Sequence, residues 1–175
     1  SPYTLSLHDA LPIFVLELSN YLRFNFNVTD KSILLQEEIE YIKSYLYIQK
    51  VRFGDRLNCE YYIEEDINFL IPKNSLYNLI DNSIKHGILK KVHGGTITLI
   101  IIKQMDKIVI KINDDGVGMD QSQIKQILNG ENHGSTLNLK CQFKKLYNAE
   151  LEVISTLLVG TYITLYIPIQ DIKFV

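Results

Sequence analysis

Two spacings of apolar residues divide the chain, a helical one of three to four positions and a strand-like one of two. Residues 14–26 keep the helical spacing through Val15, Leu18 and Leu22, with Asn25 and Asn27 at the end. A second helix is expected to run to about Val51. Ile39, Ile42, Leu46 and Gln49 form its stripe, and Tyr41, Tyr45 and Ile48 widen it. Asp30 or Ser32 is placed to cap it, Glu37 and Glu38 lie in its early turns, and Gly54 ends it. The short linkage predicts an antiparallel or bent helix pair lying on a domain. Residues 58–64 then alternate, with Cys59, Tyr61 and Ile63 on one side, as in a half-buried strand. Pro72 suits a first helical position and opens a third helix that ends at Gly87 or shortly after. Residues 96–102 and 107–112 read as a hairpin, 120–128 and 136–147 as helices, and 151–155 and 161–167 as the last strands.

The third helix carries the densest chemistry. Leu76, Leu79, Ile80, Ser83, Ile84 and Gly87 fall on one stripe, and Asn78, Asp81, Asn82, Lys85 and His86 fall on the other. An ordinary amphipathic surface helix has this shape. Short Asn and Asp are poor helix formers, however, and need a local reason to be there. Two carboxamides four residues apart, beside a carboxylate and an ammonium, suit a divalent cation shared with polyphosphate oxygens.

The strand over 107–112 runs straight into Asn113-Asp114-Asp115-Gly116-Val117-Gly118-Met119. An aspartate closing a buried strand accepts hydrogen bonds only, and so suits an exocyclic amine. Gly116 and Gly118 let backbone approach a flat base or a phosphate. A plain Asp-Gly turn would give the same letters.

Composition narrows the class. At 175 residues, with 46% hydrophobic and 22% charged content, the chain can bury one core plus some extra helix. A net charge of −2 provides no global field to recruit nucleic acid or an anionic membrane. Cys59 and Cys141 form no metal or disulfide framework, which suits a reducing compartment. No apolar run reaches bilayer-spanning length. Residues 1–13 stand apart: from Thr4 to Ile13 they match an in-frame translation of a sequencing-library DNA adaptor. They are expected to carry no fold information, His8 included, and the chain is expected to be a fragment whose natural sequence begins upstream of Phe14.

The ordered blocks LSNYLRF (18–24), LQEEIEYIKSYLYIQKVRFGDRL (35–57), IPKNSLYNLIDNSIKHG (71–87), DDGVGM (114–119) and VGTYITLYIP (159–168) resemble a GHKL-type (Bergerat) ATP-binding domain. More narrowly, they resemble the catalytic end of LytS/YesM-like sensor histidine kinases. The resemblance covers residues 14–168. It implies an α/β two-layer sandwich, with a mixed, mostly antiparallel sheet carrying helices on one face. Residues 14–54 would be the end of the dimerisation region and 55–175 the ATP-binding domain.

The implied roles fall on matched positions. Asn82 would hold Mg2+ with Asn78 assisting, and Asp81 would polarise the nucleophile. Lys85 would meet phosphate, and His86 the ribose or base. Asp114 would accept from adenine, with Gly116, Gly118 and Met119 shaping the base pocket and Thr161 backing it. Residues 119–135 would form a mobile lid, with Gly134, Ser135 and Leu137 in a second glycine box. There Thr136 replaces a glycine, and its Cβ is expected to crowd the triphosphate or push the lid away.

The implied function is transfer of the ATP γ-phosphoryl group to a histidine on an upstream helix. None of His8, His86, His93 or His133 has the context of that acceptor. A response-regulator receiver domain would take the phosphate onward. The implied parent is a membrane-anchored homodimer with this piece at its cytoplasmic end. A serine kinase or ATPase of the same fold, or a non-catalytic interaction module, remains the alternative.

Overall fold

The computed structural model describes residues 7–26, 30–129 and 134–175. Asn27, residues 1–6 of the leading segment and residues 130–133 of the expected lid lie outside them. The order is α1 (Leu7–Phe26), β1 (Ser32–Leu34), α2 (Leu35–Phe53), β2 (Leu57–Ile63), β3 (Leu70–Pro72) and α3 (Ser75–Asn82). Then follow β4 (Gly95–Gln104), β5 (Lys107–Asp114), α4 (Gln121–Asn129), α5 (Ser135–Tyr147), β6 (Glu150–Thr156) and β7 (Gly160–Pro168).

The main sheet runs β2-β4-β5-β7-β6. β2 pairs with β4 in parallel, and the other three pairings are antiparallel. The expected mixed, mostly antiparallel sheet is therefore present. Period-two alternation gives each strand one inward row: Ile97, Leu99 and Ile101; Ile108, Ile110 and Ile112; Ile163, Leu165 and Ile167. Ile39, Ile42 and Leu46 of α2, Leu76, Leu79 and Ile80 of α3, and Leu139 and Phe143 of α5 bury into the same core. Tyr62 and Tyr162, on the opposite face, are exposed.

Three boundaries differ from the sequence expectation. Pro72 does not open the third helix; it ends β3, which pairs antiparallel with β1. Both strands have only three residues, too few for periodicity to reveal. α3 begins three residues later, at Ser75, after Asn74 at φ 63°. Neither Asp30 nor Ser32 caps α2. Its N-cap is Leu34, whose N–H donates to Glu37 Oε2 at 3.1 Å. α1 begins at Leu7, inside the segment set aside as adaptor-derived, and continues through Pro12. Leu11 and Ile13 stay exposed there.

α1 and α2 pack together through aromatic rings, Tyr21 on Tyr41 at 5.2 Å between centroids and Phe24 on Tyr41 at 3.9 Å. Ser44 donates to Glu17 Oε2 at 2.5 Å. The expected α1 stripe of Val15, Leu18 and Leu22 is exposed instead. Among the described residues no helix is long and apolar enough to cross a membrane.

Candidate functional site

The α3 amphipathicity divides as its spacing implies. Leu76, Leu79, Ile80, Ser83 and Ile84 are buried, Asn78, Asn82, Lys85 and His86 are exposed, and Asp81 is half-buried. The helix does not end as a plain α-helix. Ser83–Gly87 forms a π turn and Ile88–Lys90 a 3-10 turn. The wider π turn brings Gly87 against the sheet, where its carbonyl accepts from Val117 N–H at 3.2 Å.

The N-terminus of α3 is closed from another element. Glu38 of α2 is fully buried, and its Oε1 accepts from the N–H groups of Leu76 at 2.8 Å and Tyr77 at 3.0 Å. This carboxylate takes up two of the donors that a helix start leaves unpaired. Burial pushes the Glu38 carboxyl up to about 7, against the lowering effect of its backbone donors. Two turns further along α2, the Tyr45 hydroxyl donates to Asp81 Oδ1. Lys85 Nζ donates to the other oxygen of Asp81 at 2.7 Å. Asp81 is thus engaged at both oxygens, one by a buried tyrosine and one by a lysine that is 59% exposed.

Asp114 continues the inward row of Ile108, Ile110 and Ile112, at the point where that row turns polar. It is 4% exposed. Its Oδ1 accepts from Gly116 N–H at 2.9 Å. Burial raises its pKa, while the Gly116 N–H, the Ser83 hydroxyl and the Thr161 N–H work in the other direction. The neighbouring inward rows turn polar at the same level. Thr161 pairs with Asp114, and Ser155 pairs with Thr161. A polar rung of Ser155, Thr161 and Asp114 therefore lies across three strands, at the end of the apolar core.

Glycine is required where this rung meets the helix. A Cβ on Gly116 would stand 2.4 Å from the Gly87 carbonyl carbon, and one on Gly118, at φ 66°, would stand 1.9 Å from Thr156 O. The bare backbone at Gly116 is thus a steric necessity of the helix lying against the strand end. Met119, half-buried, donates its N–H to Ser155 Oγ at 2.8 Å.

The second glycine box is less tightly held. Gly134 is the N-cap of α5, and a Cβ there would meet nothing within 4 Å. Ser135 opens the helix and Leu137 is half-buried. Thr136 is turned into the protein, at 7% exposure. Of the 119–135 segment, the described part from Gln121 to Asn129 is helix α4, anchored by buried Ile124.

The site thus has two parts that meet at Gly87, the polar rung with its glycine loop and the exposed polar face of α3. Sequence reasoning missed Ser83, Glu38, Tyr45 and Ser155 as contributors. Ser83 and Ser155 carried a usable signal, since each is a hydroxyl at a position whose parity points inward.

The mixed sheet with its helices is that of a nucleotide-binding ATPase fold. Residues 71–171 match the family model described as histidine kinase-, DNA gyrase B- and HSP90-like ATPase, and residues 4–57 match a histidine kinase model. The chain belongs to the histidine kinase-, DNA gyrase B- and HSP90-like ATPase family. It is 34% identical over 166 residues to the sensor histidine kinase YpdA of Escherichia coli, covering 93% of this chain and 29% of that protein. It is 27% identical over 150 residues to the sensor protein LytS of Oceanobacillus iheyensis, covering 82% of this chain and 24% of that protein. The chain thus spans less than a third of either relative. Its fold is shared with the histidine kinase domain of a blue-light activated histidine kinase from Erythrobacter litoralis, with a TM-score of 0.60 at 18% identity. That match covers 93% of this chain and 76% of the other.

Proposed function

We propose that the domain binds ATP with Mg2+ and transfers the γ-phosphoryl group to a histidine on a helix of the dimerisation region of a homodimeric, membrane-anchored parent. The phosphate then passes to an aspartate on a response-regulator receiver domain. The observation that carries this reading is the junction at Gly87, where a buried acceptor rung abuts a helix face of carboxamides and cations. A base amine would lie against Asp114 and Thr161, with Gly116, Gly118 and Met119 around the ring. The phosphates would run along α3 past His86 and Lys85, under Gly134, Ser135 and Leu137.

The donor set fits magnesium in one form only. Among the described residues no group of three His, Cys, Asp or Glu side chains is placed to hold a metal. Asn78 and Asn82 are exposed carboxamides four residues apart on one helix face, suited to an ion that takes its remaining ligands from phosphate and water. When bound there, the ion would neutralise developing charge on the phosphates.

Two donors do not exhaust the lone pairs of Asp81, and loss of the Lys85 contact would open its solvent-facing oxygen to a nucleophile. Lys85 moving from Asp81 to a phosphate would release Oδ2, while Tyr45 keeps Oδ1 oriented. Nucleotide binding and exposure of the base would then be one event. The test is phosphotransfer from labelled ATP to a separately supplied acceptor-helix domain. Asn82→Ala is expected to abolish the magnesium dependence of ATP binding and to reduce transfer by about 100-fold or more. Binding of wild type that ignores a chelator would refute the metal role.

A further inference from the structure

The Ser155 side chain makes three polar contacts, and their directions can be worked out. Ser155 is 6% exposed. Its Oγ lies 2.8 Å from Met119 N, 3.0 Å from Gly160 O and 2.9 Å from Thr161 Oγ1. A backbone N–H can only donate and a carbonyl can only accept, whereas a hydroxyl has one proton and two lone pairs. Met119 therefore takes one lone pair of Ser155. The single Ser155 proton goes to Gly160. For the third contact to be a hydrogen bond, Thr161 must donate into the remaining lone pair. The Thr161 proton is then committed inside the sheet, and its oxygen offers only acceptor sites outward. Asp114, paired with Thr161 across the strands and already accepting from Gly116, offers only acceptor sites as well.

We propose that Ser155 is a positioning residue that fixes the hydrogen-bonding polarity of the base corner. It turns Thr161 into an acceptor beside Asp114, and so favours a purine bearing an amino group at that edge over one bearing a carbonyl. The discrimination comes from unpaired groups: a carbonyl facing two acceptors loses its hydrogen bond to water and gains none. Met119 is held by the same hydroxyl, so the glycine loop and the polarity of the corner share one anchor. This inference rests on the reading that a nucleotide base occupies the corner.

Competition of ATP and of GTP against a fluorescent ATP analogue, on the whole chain, tests it. Wild type is expected to prefer ATP. Ser155→Ala frees the Thr161 proton to turn outward and is expected to cut the ATP-to-GTP preference by about tenfold. Ser155→Thr, which keeps the hydroxyl, is expected to restore the preference. Thr161→Val is expected to lower it similarly, with no further change when combined with Ser155→Ala. A purely structural role for Ser155 would weaken both nucleotides by one common factor and leave the ratio unchanged, which overturns the inference. Should Ser155→Ala lower the melting temperature too far to assay, Thr161→Val decides, and an unchanged ratio there is equally fatal. Wild type that binds neither nucleotide would instead sink the reading of the corner as a base site.

Discussion

At the strand end, Asp114, Thr161 and Ser155 are nearly inaccessible, and each is held by named backbone or hydroxyl partners. On the outer face of α3, Asn78, Asn82, Lys85 and His86 stand in solvent. Their one prominent ion pair joins Lys85 to Asp81, with the lysine mostly exposed. Exposed pairs of this kind are worth roughly 0–1 kcal/mol. The strand-end corner is therefore ordered within the folded chain itself, and the cost of ordering it has been met in folding. The outer face of α3 is instead solvent-exposed, and a ligand bound there would have to draw its side chains together. Base recognition should then resist salt and depend on shape, whereas phosphate binding should be graded and sensitive to ionic strength.

The largest effect that would test this contrast comes from the glycine loop. Gly116→Ala puts a Cβ into the Gly87 backbone and is expected to cost about 3 kcal/mol of stability, read as a drop in denaturant midpoint. A variant that melts like wild type would show that the corner can relax. Next is Glu38, which titrates near its ordinary value of 4.5 when unfolded and at about 7 when folded. Between those values the folded form holds the extra proton, so stability contributed by this group is greatest at the acid end and falls as pH rises toward 7. The full loss, once pH has risen past 7, is on the order of 3 kcal/mol. Glu38→Gln keeps an acceptor for α3 and carries no charge. It is expected to exceed wild type in stability near pH 8 and to match it near pH 4.5. Parallel pH profiles for the two proteins would disprove this.

A smaller effect separates the two regions directly. Asp114→Ala is expected to weaken ATP about 10- to 100-fold, or about 1.5–3 kcal/mol, with little change in salt dependence. Titration of a fluorescent ATP analogue at two salt concentrations checks both halves, and equal affinities for the two proteins would remove Asp114 from the base site. Smallest is Thr136→Gly. Its side chain is turned into the protein, so the change is expected to move ATP affinity by less than about threefold. A larger gain would mean that the side chain does crowd the phosphates once a nucleotide binds.

How much of this could be read from the letters depends on the range of the interaction. The α3 stripe and the inward rows of β4, β5 and β7 were legible, because periodicity reports which side of one element is buried. Asp114 was legible as a carboxylate ending such a row. Pro72 misled because its fixed φ suits a helix start and a strand end alike, and the pairing of β3 with β1 depends on a partner 40 positions away (72 − 32). Glu38 read as one of two acids favouring the start of its own helix, whereas it serves a different one, 38 residues later. Nothing local distinguishes those uses. Ser155 sat at an inward position on β6, but its meaning needs the Met119, Gly160 and Thr161 atoms around it.

The carboxylate beneath α3 has a mechanical consequence. Glu38 grips the first amides of α3 and Tyr45 grips Asp81 near its far end, so α2 and α3 mesh like two geared shafts. A turn of α2 by one residue, about 100°, would strip both teeth at once. Torque entering through the α1 aromatic contacts would therefore either carry the outer face of α3 with it or disengage Asp81 altogether.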